Sequence, residues 1–183
     1  MQTSFDVSDA FTGAECARII ALATGGALAD AGLVGGTTHH NMRRADIAWL
    51  DERAGSDWVT DRIVDVVRET NRKVFDFDLR DFAESAQVAR YGADRAGHFD
   101  WHSDIGDGPV ARRRKLTVVV QLSDPDAYEG GALELMPDAH IRQAPRRRGT
   151  ATLFASFVLH RVTPVEGGAR YSLTQWAHGP AFR

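Results

Sequence analysis

The stretch GHFDWHSD, residues 97–104, is the part of the chain from which its fold and chemistry are best inferred. Polar and apolar side chains alternate along it, which is typical of a β-strand with two different faces. In a regular strand His98, Asp100, His102 and Asp104 all point to one side. Burying four polar side chains costs free energy unless each has a partner, and a bound metal ion would be such a partner. The stretch therefore predicts a metal site, with either His-x-Asp pair as its ligands.

A third ligand must come from elsewhere in the chain, and the candidates are His140, His160 and His178. His160 lies in an apolar, strand-like stretch, where an isolated histidine is more often a hydrogen-bonded core residue. The adjacent His39 and His40 lie in a glycine-rich, turn-like segment and are expected to be exposed. From these residues alone, the ligand set stays open.

Length and composition favour one domain over residues 1–183, with a net charge of -3 and an ordinary apolar fraction. This charge gives no general attraction to nucleic acid, so no nucleic-acid partner is expected. Cys16 is the only cysteine, which excludes an internal disulfide and fits a cytoplasmic protein. No run of about 18 apolar residues is present, so no membrane span is expected.

The order of helical and alternating segments predicts the fold class. Thr12 and Glu15 have the spacing of a capping box, so a first helix should follow and end near Gly25. A short strand at Ile47–Leu50 and a long amphipathic helix to Val74 come next. Seven further strands are predicted at Ser85–Tyr91, Gly97–Asp104, Lys115–Leu122, Ala132–Met136, Thr150–Phe154, Val158–Val162 and Arg170–Trp176.

This arrangement predicts a mainly β protein with supporting helices, of the α+β type. The strands should form a double-stranded β-helix, a jelly-roll or cupin-like barrel, with the N-terminal helices packed on one sheet. Residues 1–84 would supply the helical support and the first strands, and residues 85–177 the barrel.

The strand LTVVVQL, residues 116–122, has two unlike faces. One face is wholly aliphatic and suits packing beneath the helices. The other face presents Thr117, Val119 and Gln121, a mixture that suits the lining of a ligand cavity. A core strand with one tolerated glutamine is the alternative, and this strand alone does not decide between them.

Five elements in the second half of the chain occur in an order and spacing that resemble a known family, the prolyl-hydroxylase-type branch of the iron(II)- and 2-oxoglutarate-dependent dioxygenases. The resemblance covers roughly residues 85–177. Its elements are Tyr91; Gly97-x-Phe99-x-x-His102-x-Asp104; Glu129-Gly130-Gly131-Ala132-Leu133; His160-Arg161-Val162-Thr163-Pro164-Val165; and Gly168-x-Arg170-Tyr171-Ser172-Leu173-Thr174-x-Trp176.

The resemblance implies that His102, Asp104 and His160 bind Fe(II), and that His98 and Asp100 are neighbouring or rim residues that contribute to the substrate pocket. Two histidines and one carboxylate leave iron positions open for a bidentate 2-oxo acid and dioxygen. Related halogenating enzymes replace the carboxylate by a small residue, so Asp104 argues for hydroxylation.

By the same resemblance, Arg170 and Tyr91 bind the distal carboxylate of 2-oxoglutarate, to which a planar guanidinium can donate two hydrogen bonds. Arg170 shares its strand face with Thr174 and Trp176, so it would point into the barrel and require an anion. The remaining residues assigned by resemblance are Val119, Leu133 and Thr174 beside 2-oxoglutarate, and Gln121 and Trp176 in the substrate pocket. Some relatives have a tyrosine at the Gln121 position, and many prolyl hydroxylases have lysine at that of Arg170.

We therefore expect a dioxygenase that hydroxylates an unactivated C–H bond and releases succinate and carbon dioxide, with ascorbate as a candidate reductant. Its substrate would be a prolyl residue in a peptide or protein, a free amino acid or a small metabolite. The loop 105–115 is placed to form a lid, and its Arg112, Arg113 and Arg114 would contribute to the substrate pocket and draw an acidic partner. The alternatives are a cupin-like metalloprotein such as a zinc hydrolase, and a non-catalytic binding or sensor module. The oligomeric state is left open.

Overall fold

The computed structural model of the protein describes residues 2–25, 29–30 and 42–182, and it has the predicted mainly β architecture with two α-helices. His39 and His40 lie outside the described residues. The helices are α1 (Gly13–Thr24) and α2 (Asp57–Thr70), and α2 continues as a π-helical turn, Asn71–Phe75. The strands are β1 (Ser4–Val7), β2 (Ala29–Asp30), β3 (Arg43–Arg44), β4 (Asp46–Trp49), β5 (Gln87–Gly92), β6 (His98–His102), β7 (Arg114–Gln121), β8 (Tyr128–Gly130), β9 (Leu133–Met136), β10 (Arg142–Gln143), β11 (Ala151–Ala155), β12 (Leu159–Val162) and β13 (Val165–His178).

Helix α1 begins at the predicted capping box. The Thr12 hydroxyl accepts a hydrogen bond from the amide of Glu15 at 3.2 Å, and the Glu15 carboxylate accepts one from the amide of Thr12 at 2.8 Å. The helix ends where the Gly25 amide donates to the carbonyl of Ala21. Two of the orphan amides at the helix start are thereby satisfied, as the sequence predicted.

The strands form two antiparallel sheets. The main sheet has the order β1-β11-β7-β13-β5-β4-β2, with β8 paired to one end of β13. The smaller sheet has the order β10-β9-β12-β6-β3. Strand β7 lies between β11 and β13 in the main sheet, and β6 and β12 are neighbours in the smaller one. These positions bring the predicted ligand strands together.

The two faces of β7 serve different parts of the molecule. Leu116, Val118, Val120 and Leu122 are buried in one cluster with the apolar sides of α1 and α2, so the helices pack on the main sheet as predicted. Val119 belongs instead to a second cluster, which includes Leu133 of β9 and therefore joins the two sheets. The space between the sheets is where the functional side chains meet.

The structure extends the predicted strand pattern. Strand β1 adds an edge to the main sheet by pairing with β11, and β13 begins at Val165 rather than near Arg170. Glycines near the start of β13 are typical of a turn, which is why the sequence predicted a later start. In the structure a glycine is needed at 168 because its φ is 67° and a Cβ would clash with the carbonyl of Ala127. Among the described residues, no helix has the length and apolar character needed to span a bilayer.

Candidate metal centre and substrate cavity

Strand β6 is irregular at the point where the metal ligands begin. His160 of β12 pairs with His102 and Val162 pairs with Phe99, so two steps along β12 correspond to three along β6. This extra residue is a β-bulge, which changes the face on which side chains lie. As a result Phe99 and His102 lie on one side, with their rings stacked 3.5 Å apart.

The bulge makes the expectation of one shared face wrong for His98 and Asp100. The side chain of Asp100 is exposed, and its Oδ1 accepts a hydrogen bond from the amide of Trp101. Nδ1 of His98 lies 2.9 Å from the carbonyl oxygen of Ala96. Neither His98 nor Asp100 lines the two cavities beside His102. Alternation predicted their orientation incorrectly because it assumes an unbroken strand.

Three predicted ligands do come together. Side-chain atoms of His102, Asp104 and His160 all lie within 4.8 Å of one another. Nε2 of His102 is 3.7 Å from Asp104 Oδ1, and Nε2 of His160 is 3.6 Å from Asp104 Oδ2. This confirms the second His-x-Asp pair, with His160 as the third residue.

Both imidazoles are oriented by the backbone. Nδ1 of His102 lies 2.7 Å from the carbonyl oxygen of Asp100, and Nδ1 of His160 lies 3.0 Å from that of Val158. Because a carbonyl oxygen can only accept, each Nδ1 carries the proton. The lone pair is then on Nε2, the atom that faces Asp104 in both rings, and this is the tautomer required of a metal ligand.

The carboxylate of Asp104 is held by main-chain and hydroxyl groups. The backbone amide of Asp104 donates to the carbonyl of Ser156 at 2.9 Å, and Oδ2 of Asp104 accepts a hydrogen bond from the Thr117 hydroxyl at 2.7 Å. Since the Thr117 hydrogen is used on Asp104, the Ser156 hydroxyl, 3.0 Å away, donates to Thr117. Ser156, Thr117 and Asp104 therefore form one hydrogen-bonded chain that ends at the metal centre.

Electrostatics favour the protonation states that a metal needs. Burial opposes ionisation of Asp104, but the two imidazoles and the Thr117 hydroxyl outweigh it, and the pKa of this carboxyl lies below its usual range. Burial, together with His160, lowers the pKa of His102 to about 4. At neutral pH the centre thus offers a carboxylate and a neutral imidazole at His102, so few protons compete with a metal ion.

The donor set fits Fe(II) in an open site. Within the part of the chain that the structure describes, no fourth histidine, cysteine or carboxylate joins the group. His140 is exposed beside Asp138, and His178 is fully buried against Glu84. Two imidazoles and one carboxylate with open positions are typical of non-haem iron oxygenases, whereas structural zinc sites are usually closed by four ligands.

Arg170 is a fully buried cation on the other side of the same cavity. Its Nε donates to Gln121 Oε1 at 3.1 Å and its Nη1 to the Ser172 hydroxyl at 3.4 Å, while Nη2 has no partner among the described residues. Burial lowers the pKa of Arg170, although the nearby Tyr91 opposes this. A buried guanidinium without a counter-ion is costly, so this position requires an anion such as one end of a dicarboxylate.

A narrow inner cavity of about 50 Å³ connects Arg170 with the three metal ligands. Besides Arg170, its wall contains the other four residues that the resemblance assigned to 2-oxoglutarate, together with Trp176 from the predicted substrate pocket. These four are Tyr91, Val119, Leu133 and Thr174. Gln121 lies behind Arg170 and contacts its guanidinium, outside the cavity wall.

A larger outer cavity of about 510 Å³ adjoins the inner one and also reaches His102 and Asp104. Its wall is largely apolar, with Trp49, Phe99, Ile105 and Trp176 among the contributors. Sequence reasoning missed Phe99 and Trp49 as site residues. The bulge that turns Phe99 inward has no simple sequence signal, and Trp49 looked like any core residue of a short strand.

The structure separates the three arginines of the predicted lid. Arg114 is buried, lines the outer cavity and contacts Glu84 through two hydrogen bonds. Its Nη1 also donates to the carbonyl of Asp104 at 3.0 Å. Arg113 pairs with Asp81 at 2.5 Å, and both Arg112 and Arg113 line a different surface depression beside the C-terminal residues. Arg112 and Arg113, which were expected to contribute to the substrate pocket, therefore do not line either cavity beside His102.

Comparison with known proteins identifies the family. The sequence profile described as the 2OG-Fe(II) oxygenase superfamily matches residues 86–178, about half of the chain. The chain belongs to the 2OG-Fe(II) oxygenase superfamily. The matched region contains His102, Asp104 and His160, and it also contains Arg170.

Curated relatives in this superfamily carry the name PKHD-type hydroxylase. One from Hyphomonas neptunium is 28% identical over 146 residues, covering 77% of this chain and 62% of that protein. One from Pseudomonas fluorescens is 34% identical over 85 residues, covering 44% of this chain and 38% of that protein. The chain thus spans only part of the length of the curated relatives that it matches.

Solved structures share the fold. A Pseudomonas putida prolyl-4-hydroxylase superposes with a TM-score of 0.76 at 23% identity, covering 98% of this chain and 94% of that one. A Trichoplax adhaerens prolyl hydroxylase, solved with a fragment of the hypoxia inducible factor oxygen degradation domain, gives a TM-score of 0.77 at 17% identity, covering 96% of this chain and 83% of that one. At these identities the likeness establishes the double-stranded β-helix fold.

Proposed function

We propose that the protein is an Fe(II)- and 2-oxoglutarate-dependent hydroxylase of an unactivated C–H bond. One observation carries this proposal: the triad of His102, Asp104 and His160 shares a narrow cavity with the buried guanidinium of Arg170, whose Nη2 has no partner among the described residues. The names of the relatives, PKHD-type hydroxylase, support the same reaction class.

Each group in the cavity has a defined task in this proposal. His102, Asp104 and His160 hold the iron, and Arg170 with Tyr91 binds the distal carboxylate of 2-oxoglutarate. When bound, iron and 2-oxoglutarate supply the oxidation, in which dioxygen gives one atom to the substrate C–H bond and one to succinate as carbon dioxide leaves. The protein's contribution is to position the reactants and exclude water.

The outer cavity is the proposed substrate site. Its volume of about 510 Å³ and its aromatic wall suit an aliphatic ring or chain placed next to the iron. We propose a prolyl residue of a peptide or protein as substrate, as in the related prolyl hydroxylases, or a free amino acid or small metabolite. Residues 85–177 would be the catalytic barrel and residues 1–84 its support, in one domain of a cytoplasmic protein.

Succinate formation tests the proposal. Protein loaded with Fe(II) under exclusion of other metals is incubated with 2-oxoglutarate, dioxygen, ascorbate and a panel of prolyl peptides and free amino acids. We expect succinate from the wild type and from Asp100→Ala, whose carboxylate is exposed outside the cavities. Asp104→Ala should give none. Succinate that is independent of Asp104, or absent from the wild type with the whole panel, would contradict the proposal.

A further inference from the structure

Arg43 lies where the inner and outer cavities meet and lines both of them. It begins β3, which pairs with β6 at Phe99, and only 8% of its surface is exposed. Its Nη2 donates to Gln87 Oε1 at 2.5 Å, and its guanidinium lies 4.7 Å from the centre of the Phe99 ring. Gln87 and the Phe99 ring thus hold the guanidinium in place at the cavity wall.

The positive charge of Arg43 has no counter-ion in the described part of the chain. Its contacts there are the neutral Gln87 and Phe99, and its buried Nε has no hydrogen-bond partner. The other arginine of the outer cavity, Arg114, is paired with Glu84. Glu84 also accepts a hydrogen bond from His178 at 2.9 Å, so this carboxylate is already used.

A buried guanidinium without an anion is costly, and this cost is recovered when a ligand brings one. The co-substrate already has a cation for its distal carboxylate in Arg170, which lines only the inner cavity. Arg43 instead faces the outer cavity of about 510 Å³ as well, where Trp49, Ile105 and Trp176 supply apolar contacts. An anion bound at Arg43 would thus belong to a molecule whose aliphatic part fills the outer cavity.

We propose that Arg43 binds a carboxylate of the primary substrate, which makes this substrate an acidic one. The carboxylate can be that of a free amino or organic acid, or that of an acidic side chain beside the hydroxylated residue of a peptide. The inference rests on the proposed function and refines it by naming the substrate class. The guanidinium of Arg43, which lines both cavities, supplies the donors for this contact.

Paired probes test the charge directly. One arm uses N-acetyl-L-proline and N-acetyl-L-prolinamide, and the other uses blocked pentapeptides with Glu or Gln on either side of a central proline. Calorimetry measures their binding to protein loaded with Mn(II) and 2-oxoglutarate, without turnover. In at least one arm the wild type should bind the acid roughly tenfold or more tighter than the amide, as expected for a charge-assisted hydrogen bond. The arm that shows the preference identifies the source of the carboxylate.

Variants assign the preference to Arg43. Arg43→Gln should bind acid and amide equally, whereas Arg43→Lys, which keeps the charge, should retain a preference for the acid. Arg112→Gln, an exposed arginine outside both cavities, should behave as the wild type. A wild type with no acid preference in either arm, or a preference that survives in Arg43→Gln, would overturn the inference.

The alternative is that Arg43 binds the co-substrate, 2-oxoglutarate. Measuring 2-oxoglutarate binding in the same variants distinguishes this from substrate binding. Arg43→Gln should bind 2-oxoglutarate as the wild type does, while Arg170→Gln should not. An equal loss in both variants would assign Arg43 to 2-oxoglutarate and overturn the inference. If the wild type itself fails to bind Mn(II) and 2-oxoglutarate, the proposed function fails independently of Arg43.

Discussion

The hydroxyl of Thr117 provides a sharp test of how the metal centre is built. Thr117→Val keeps the shape of the side chain but removes the hydrogen bond of 2.7 Å to Asp104. The Ser156 hydroxyl also loses its acceptor. Both threonine and valine are β-branched, so the fully buried β7 should keep its conformation.

The expected loss can be estimated from the contact itself. A hydrogen bond from a hydroxyl to a buried carboxylate stabilises by about 1.5–3 kcal/mol, and removing it should also raise the pKa of Asp104. Groups that orient metal ligands typically contribute about 10- to 100-fold in metal affinity. We therefore expect Thr117→Val to weaken Fe(II) or Mn(II) binding by about that factor.

Metal titration by calorimetry, with thermal unfolding measured alongside, checks this. Thr152→Val is a matched control because Thr152 is equally buried and its hydroxyl donates to another carboxylate, Asp6, at 2.8 Å. Both variants should lose similar thermal stability, but only Thr117→Val should lose metal affinity. Equal metal affinity in the two variants would refute the role of the Ser156–Thr117–Asp104 chain.

Two further outcomes follow from the same structure. His102→Ala should abolish metal binding in a titration, while His98→Ala should leave it intact, and the reverse result would restore the other His-x-Asp pair. Burial raises the pKa of Glu84, but Arg114 and His178 outweigh it and hold this pKa at about 2, below the ordinary 4.5. Its ionised form therefore stabilises the fold above pH 4.5, and this contribution is lost as the pH falls towards 2. The melting temperature of the wild type should therefore fall more steeply over that pH interval than the melting temperature of Glu84→Gln. If the two melting temperatures fall in parallel, the Glu84 contacts add no stability.

Much of this fold was predictable because its strands follow simple alternation. The aliphatic face of residues 116–122 packs beneath the helices, as predicted. Thr117, Val119 and Gln121 lie toward the metal centre and Arg170, which is one of the two interpretations that the strand alone left open. The capping box at Thr12 likewise set the start of α1. Local sequence patterns predict the structure correctly where a single physical requirement decides it, either burial of apolar side chains or hydrogen bonding of backbone groups.

The remaining features depend on contacts between distant parts of the chain. The bulge in β6 exists only through pairing with β12, so the inward turn of Phe99 and the outward turn of Asp100 could not be read from residues 97–104. The partner of Arg114 is Glu84, thirty positions earlier in the chain. Arg43 was missed because an arginine beside Arg44 in a turn-like segment carries no sign of burial.

The central claim is that the iron triad and Arg170 form one site for 2-oxoglutarate. Anaerobic calorimetry of 2-oxoglutarate binding, with and without Fe(II), tests this most directly. We predict binding that requires Fe(II) and that is lost in Arg170→Gln and retained in Arg146→Gln, where the arginine contacts the carbonyls of Gly130 and Tyr128 outside the cavities. Binding that is independent of Fe(II), or unchanged in Arg170→Gln, would contradict the account.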